Sequence, residues 1–119
     1  MGLFKAKNKN NFNWLVLNDE KSYGDAIDTS FTEPILIFKH STRCSISSLA
    51  LNRIENVKNQ ETIIKSCYFL DLLSYRDISN KIAIDFNVFH QSPQVLVIKN
   101  GKCIYNTSHS NINWANIKI

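Results

Sequence analysis

No run of apolar residues in these 119 amino acids approaches the roughly 20 needed to cross a bilayer, so a membrane span is not expected. The start Met1-Gly2-Leu3-Phe4 has no apolar core of the kind a secretory signal carries. Ala6 stands where a myristoylation site wants Ser or Thr, so Gly2 is not read as a lipid anchor. Cysteine is scarce and odd in number, at three, which excludes a self-contained disulfide framework; with no export signal it points to a reducing cytoplasm. For the same reason the glycosylation sequon Asn106-Thr107-Ser108 is read as formal only. Basic clusters are missing too. The net charge of +4 is scattered, with Lys5, Lys7 and Lys9 alternating near the start and no Lys/Arg patch interleaved with aromatics. Neither nucleic acid nor membrane is therefore expected as a partner, and diffuse positive charge is left to attract a small anionic ligand or an acidic protein surface.

What is present is enough for one domain. At 44% hydrophobic and 20% charged, the chain can bury a proper core without metal or disulfide staples. Residues 1–12 read as an Asn- and Lys-rich flexible tail, and residues 13–119 as the domain, without repeat or internal linker.

Along that domain, Asn13–Leu17 reads as a strand and Lys21–Thr29 as a short helix. Pro34-Ile35-Leu36-Ile37-Phe38 is a continuous apolar run of the kind that forms a buried parallel strand. Ile46, Leu49, Ala50, Ile54 and Val57 then recur at helical spacing, predicting a helix from Cys44 to about Asn59. Cys67–Leu72 reads as a third strand. Ser74 with Asp77 forms a loose capping box for a helix through Ile78, Ile82 and Phe86. Gln94–Lys99, Asn100-Gly101 and Lys102–Asn106 predict a β-hairpin, since Asn-Gly accepts the positive φ angles of a two-residue turn. A last helix is expected from about Ser110 through Ile112, Trp114 and Ile117. This order predicts an α/β sandwich of three layers: a central mixed sheet, parallel early and closed by a C-terminal antiparallel hairpin, with helices on both faces. The arrangement resembles the thioredoxin-like fold.

Ligand sites in such sheets lie at the carboxyl ends of the strands, which singles out Cys44. Placed between a strand and a helix, it sits at a helix N-terminus, where free backbone N–H groups favour the thiolate and Lys39, Arg43 and His40 add cationic charge. A free cysteine is usually a small apolar gap-filler. Here, however, Ser41, Thr42, Arg43, Ser45 and Ser47 describe a wet turn, whereas Cys67 and Cys103 lie in apolar runs and are read as structural. Cys44-Ser45-Ile46-Ser47 has the spacing of a C-x-x-C motif with serine in second place. A dithiol mechanism is thereby excluded at this motif, and Ser47 is left to donate a hydrogen bond toward the Cys44 sulfur.

Two further segments bear on the site. Pro93, in His90-Gln91-Ser92-Pro93-Gln94, precedes the hairpin, where a proline cannot belong to a central strand. A cis-proline facing the active cysteine stands at this place in thioredoxin-like folds, and Ser92 before it can offer its backbone to a substrate segment in the manner of strand addition. In Asn106–Asn111, either Ser110 simply caps the final helix, or that helix start together with His109 binds a carboxylate.

The segments Lys39–Ser47, His90–Leu96 and Lys99–Ser110 together resemble the monothiol bacilliredoxins of the YtxJ type. That resemblance implies a redox-active, thioredoxin-like oxidoreductase of the bacillithiol system, in which one cysteine removes bacillithiol from protein mixed disulfides. It makes Cys44 the nucleophile and Pro93 the cis-proline, with bacillithiol as co-substrate, bacillithiolated proteins as clients, and no metal or tightly bound cofactor. Lys39, Arg43, His109 and Ser110 are then the candidate donors to the carboxylates of the small thiol. One departure stands out: Ser45 occupies the position where the family usually has proline, restoring a backbone N–H and loosening the loop. Two other readings of Cys44 remain open at this stage. One is a non-catalytic binding module; the other is an iron–sulfur carrier of the single-cysteine glutaredoxin kind.

Overall fold

The computed structural model describes residues 12–56 and 64–119. In chain order these form β1 (Trp14–Val16), α1 (Glu20–Thr29), β2 (Ile35–His40), α2 (Ser45–Glu55), β3 (Ser66–Asp71), α3 (Arg76–Phe86), β4 (Gln94–Lys99) and β5 (Lys102–Ser108). Two single 3-10 turns follow, His109–Asn111 and Trp114–Asn116.

The strands form one sheet in the order β1-β3-β2-β4-β5, parallel for β1–β3 and β2–β3 and antiparallel for β2–β4 and β4–β5. Successive side chains of a strand point to opposite faces, and two separate cores follow from that alternation. Leu36, Phe38, Phe69, Val95 and Val97 pack with Trp14 under α2 and the C-terminal segment. Ile35, Ile37, Tyr68, Leu70, Leu96 and Ile98 pack under α1 and α3. With both faces covered, β2 is buried at all six positions, which is why its sequence shows an apolar run rather than alternation.

Local chemistry sets the ends of the elements. Asp19 caps α1, accepting from the Ser22 N–H at 2.7 Å, while the Ser22 hydroxyl accepts from the Asp19 N–H at 3.1 Å. Asn100 (φ 54°) and Gly101 (φ 76°) make the left-handed hairpin turn. That turn is fixed to the end of α1, because the Asn100 N–H donates to Ser30 O at 2.7 Å and the Gly101 N–H to Ser30 Oγ at 3.0 Å. A side chain at Gly101 would also meet the Phe31 ring at 2.7 Å.

Several expectations need correction. Phe12, assigned to the tail, packs on Trp14 with ring centroids 4.8 Å apart and belongs to the first core; residues 1–11 lie outside the described residues. The site helix ends at Glu55, capped by Asn56, and Val57 to Asn59 lie outside the described residues. Its buried face is Ser47, Ala50 and Ile54, whereas Ile46 and Leu49 are 49% and 59% exposed. The expected capping box before α3 is not formed: Tyr75 is the N-cap, and the Ser74 hydroxyl donates to Asp71 Oδ2 at 3.1 Å instead. Nor is there a final helix. That segment is held by side chains from α2 and its own neighbours: Arg53 donates to Ile112 O at 2.8 Å and to His109 O at 3.0 Å, and Trp114 Nε1 donates to Ile54 O at 2.9 Å. With the His109 and Ile112 carbonyls taken by Arg53, and Trp114 anchored on the end of α2, the segment forms two tight turns in place of a continuous helix.

Candidate functional site

The site lies where β2 ends and α2 begins. Cys44 is the N-cap of α2, in extended conformation (φ −116°, ψ 117°), and its side chain makes no capping hydrogen bond. The turn before it is closed by the Cys44 N–H donating to Ser41 O at 3.2 Å, and the helix opens with the Ser48 N–H donating to Cys44 O at 3.1 Å. Cys44 as a residue is half-buried, between exposed Arg43 and exposed Ser45. It therefore stands, partly open to solvent, at the end of a helix where free N–H groups converge.

Register brings the second element of the site alongside. Lys39 pairs with Gln94, so Pro93 stands level with the last residue of β2, and the Ser92–Pro93 peptide bond is cis. The Ser92 hydroxyl is buried with no hydrogen-bond partner. His109, left-handed at φ 56°, donates its N–H to Pro93 O at 3.3 Å. Gln94, buried, braces the approach: its side chain donates to Phe89 O at 2.9 Å and accepts from the Gln91 N–H at 3.4 Å. Nothing about Gln94 in the sequence marked this role beyond its position after the proline.

Cys44, Arg43, Ser92, Pro93 and His109 thus gather at one end of the sheet, while four sequence assignments change. Lys39 is not a surface donor. β2 continues two residues past its apolar run, so Lys39 is 0% exposed on the α3 face, with Nζ 3.3 Å from both Ser79 O and His90 Nδ1. Burial pulls its pKa down to about 8. His40 adds no cation at neutral pH either, because burial holds its pKa below the usual 6.5 against the opposing pull of Asp71. Ser47 is fully buried, with its hydroxyl 2.7 Å from His40 Nδ1 and accepting from the Ser41 N–H at 3.1 Å, so it is directed at His40 and not at the Cys44 sulfur. Ser110 is exposed in a single 3-10 turn, which provides no helix N-terminus for a carboxylate.

The other thiols are differently placed. Cys67 is register-paired with Leu36, and Cys103 with Ile98, which pairs with Ile35. Both therefore lie toward the far end of the sheet, Cys67 four and Cys103 five residues of strand from the level of His40, or about 13 and 17 Å along the strand direction. Burial pushes Cys67 up to about 12 and raises Cys103. Among the described residues, no three His, Cys, Asp or Glu side chains gather as a metal site, and no helix is long and apolar enough to cross a membrane.

Comparison with known structures bears first on the fold. A proposed oxidoreductase with a thioredoxin fold shares 28% identity at a TM-score of 0.75, over 86% of this chain and 88% of its own. The thioredoxins of Malassezia sympodialis (15% identity, TM-score 0.67, 82% and 80% covered) and Fasciola hepatica (16%, 0.65, 81% and 86%) share the fold. Residues 16–117 match the family model described as monothiol bacilliredoxin BrxC. A single exposed-end cysteine at a helix N-terminus, with serine where a second would stand and a thioredoxin fold around it, is what that match spans, and the chain belongs to the monothiol bacilliredoxin family of thioredoxin-like redox proteins.

Proposed function

We propose that this protein removes bacillithiol from protein mixed disulfides. The observation that carries the reading is the isolation of Cys44: it is half-exposed at the start of α2, with Ser47 at the second motif position and both other thiols at the opposite sheet end. The Cys44 thiolate attacks the bacillithiol sulfur of a client's mixed disulfide. A Cys44–bacillithiol disulfide forms, the client–bacillithiol bond breaks, and the client sulfur leaves as thiolate. A second bacillithiol, as thiolate, then attacks the bound bacillithiol sulfur, releasing oxidised bacillithiol and the Cys44 thiolate. No resident cofactor enters these steps.

The remaining residues position the partners. Ser92, before Pro93, offers its backbone to the client segment by strand-like pairing. Arg43, exposed beside Cys44, supplies charge to the carboxylates of the small thiol, as does the His109 region alongside Pro93. A reducing compartment such as the cytoplasm supplies the free thiol for the second step.

The test is mass spectrometry of the protein incubated with a bacillithiolated client. The client should lose bacillithiol while Cys44 gains it, and Cys44→Ser should abolish both changes. Equal removal of glutathione from the matching glutathionylated client would overturn the substrate assignment and leave thiol exchange standing.

A further inference from the structure

The exchange steps above leave unused a groove beside Pro93. It runs between the edge strand β5 and the loop that leads from α3 to the cis-proline, has a volume of about 410 Å³, and takes its lining mainly from Asn87, Phe89, Gln91, Asn106, Thr107 and Ser108. That size falls within the roughly 300 to 1,000 Å³ of small-molecule sites. Both walls are held in place. On the loop side, Asn87 ends α3 in left-handed conformation (φ 53°), and the Val88 N–H donates to Ala83 O at 3.1 Å. Gln94 fastens one wall to the other: its side chain donates to Phe89 O at 2.9 Å, while its backbone is register-paired with Ser108.

The lining has the chemistry of a sugar site. No charged residue contributes to it, so a carboxylate would find no cation there. Asn87, Gln91, Thr107 and Ser108 supply amides and hydroxyls, and none of these side chains is hydrogen-bonded within the described residues. Phe89 is 91% exposed, more than any other large apolar side chain among the described residues, and its ring joins neither core. A hexose presents two kinds of surface that fit this pairing. Its ring C–H groups lie against the electron-rich face of an aromatic side chain. Its hydroxyls need donors and acceptors together, which amides and hydroxyls both provide.

Bacillithiol carries such a group: it is cysteine joined through an amide to glucosamine, whose anomeric oxygen bears malate. Ser108 pairs with Gln94 and Gln94 with Lys39, so the groove lies two strands, about 10 Å, across the sheet from the end of β2, where the Cys44 turn begins. Along the small thiol, the amide holds the cysteinyl Cα and the sugar carbon about 3.8 Å apart. Sulfur on one side and ring on the other extend that to a reach of the same order as the gap. We propose that this groove holds the sugar of bacillithiol while its sulfur is bonded to Cys44, the ring lying against Phe89 and its hydroxyls meeting Asn87, Gln91, Thr107 and Ser108. The uncharged groove then selects the sugar, and the malate carboxylates are left to the cation Arg43.

This inference rests on bacillithiol being the small thiol, and the experiment separates the two ideas. The rate at which Cys44 is converted to a mixed disulfide is measured with three symmetric disulfides: that of bacillithiol, that of cysteinyl-glucosamine, which lacks the malate, and cystine, which lacks the sugar as well. Wild type, Phe89→Ala, Phe89→Tyr and a Gln91→Ala, Ser108→Ala double variant are compared; all these side chains but Ser108 are exposed, so folding is not at stake in the Phe89 pair. Wild type should prefer both sugar-bearing disulfides over cystine. Phe89→Ala and the double variant should each slow the two sugar-bearing disulfides about tenfold and leave cystine within about twofold. Phe89→Tyr, which keeps the ring, should behave as wild type. In the Cys44–bacillithiol disulfide, backbone amide NMR signals of residues 87–91 and 106–108 should move relative to the Cys44–cysteine disulfide. Equal losses with all three disulfides, no loss with any, or unmoved signals overturn the sugar site. A loss confined to bacillithiolated protein clients assigns the groove to the client chain and overturns it too. If wild type removes bacillithiol from a client and the Phe89 variants do so at the same rate, only this inference falls; if wild type does not remove it, the parent reading falls as well.

Discussion

Replacing Lys39 by Met tests where that side chain lies and what its burial costs. The ammonium is enclosed between β2 and α3, with hydrogen bonds to Ser79 O and His90 Nδ1 but no carboxylate. Its pKa falls from 10.5 to about 8, which at about 1.4 kcal/mol per pH unit corresponds to a penalty of roughly 3 kcal/mol in the charged state. The two hydrogen bonds are lost with the charge, and Met fills a similar volume, so a net gain of about 2 kcal/mol is expected at neutral pH. The sign follows from linkage. Between about pH 8 and 10.5 the unfolded chain holds the Lys39 proton more tightly than the folded one, so wild-type stability rises with pH across that window. Lys39→Met lacks that rise, and the two proteins should converge above it. Urea denaturation at neutral pH and above the window reads this directly. A variant less stable than wild type at neutral pH, or a gap that does not change with pH, would refute the account. Activity gives a second check: loss of a charge-assisted bond to substrate, about 1.5 to 3 kcal/mol, would slow exchange tenfold or more, whereas a buried lysine predicts little change.

The other two predictions concern the cysteines and Arg43. A Cys67→Ala, Cys103→Ala variant should exchange bacillithiol at the wild-type rate, because both thiols lie beyond the roughly 7 Å Cα reach of a disulfide with Cys44; an intramolecular Cys44 disulfide after mild oxidation, seen by non-reducing peptide mapping, would refute the monothiol assignment. Arg43→Ala should slow exchange with bacillithiol roughly tenfold to a hundredfold but leave reaction with a neutral disulfide reagent much less affected. Equal losses in the two assays would show that Arg43 acts on the sulfur and does not recognise the substrate's carboxylates.

The succession of strands and helices as far as the hairpin and the place of Cys44 were legible because they depend on local chemistry. Ile35 to Phe38 is apolar on both sides, Asn100-Gly101 accepts left-handed φ, and a polar turn between a buried strand and a helix puts Cys44 at a helix N-terminus in any α/β sheet. The face that α2 buries was legible only in part, at Ala50 and Ile54. Counting apolar residues favours Ile46 and Leu49, but the direction of the helix across the sheet, set by β2 and the strapped C-terminal segment, turns Ser47, Ala50 and Ile54 inward. Lys39 and His40 were misread for a related reason: the apolar run ends at Phe38, yet the strand does not. Backbone pairing with β3 and β4 carries it two residues further into a region covered on both faces, so a lysine and a histidine are buried by their neighbours' hydrogen bonds rather than by their own hydrophobicity. Sequence thus determined which cysteine stands at the start of the helix after β2, and only the tertiary structure decided that Ser47 answers to His40, because that contact joins a strand end to a helix turn through packing that no local pattern encodes.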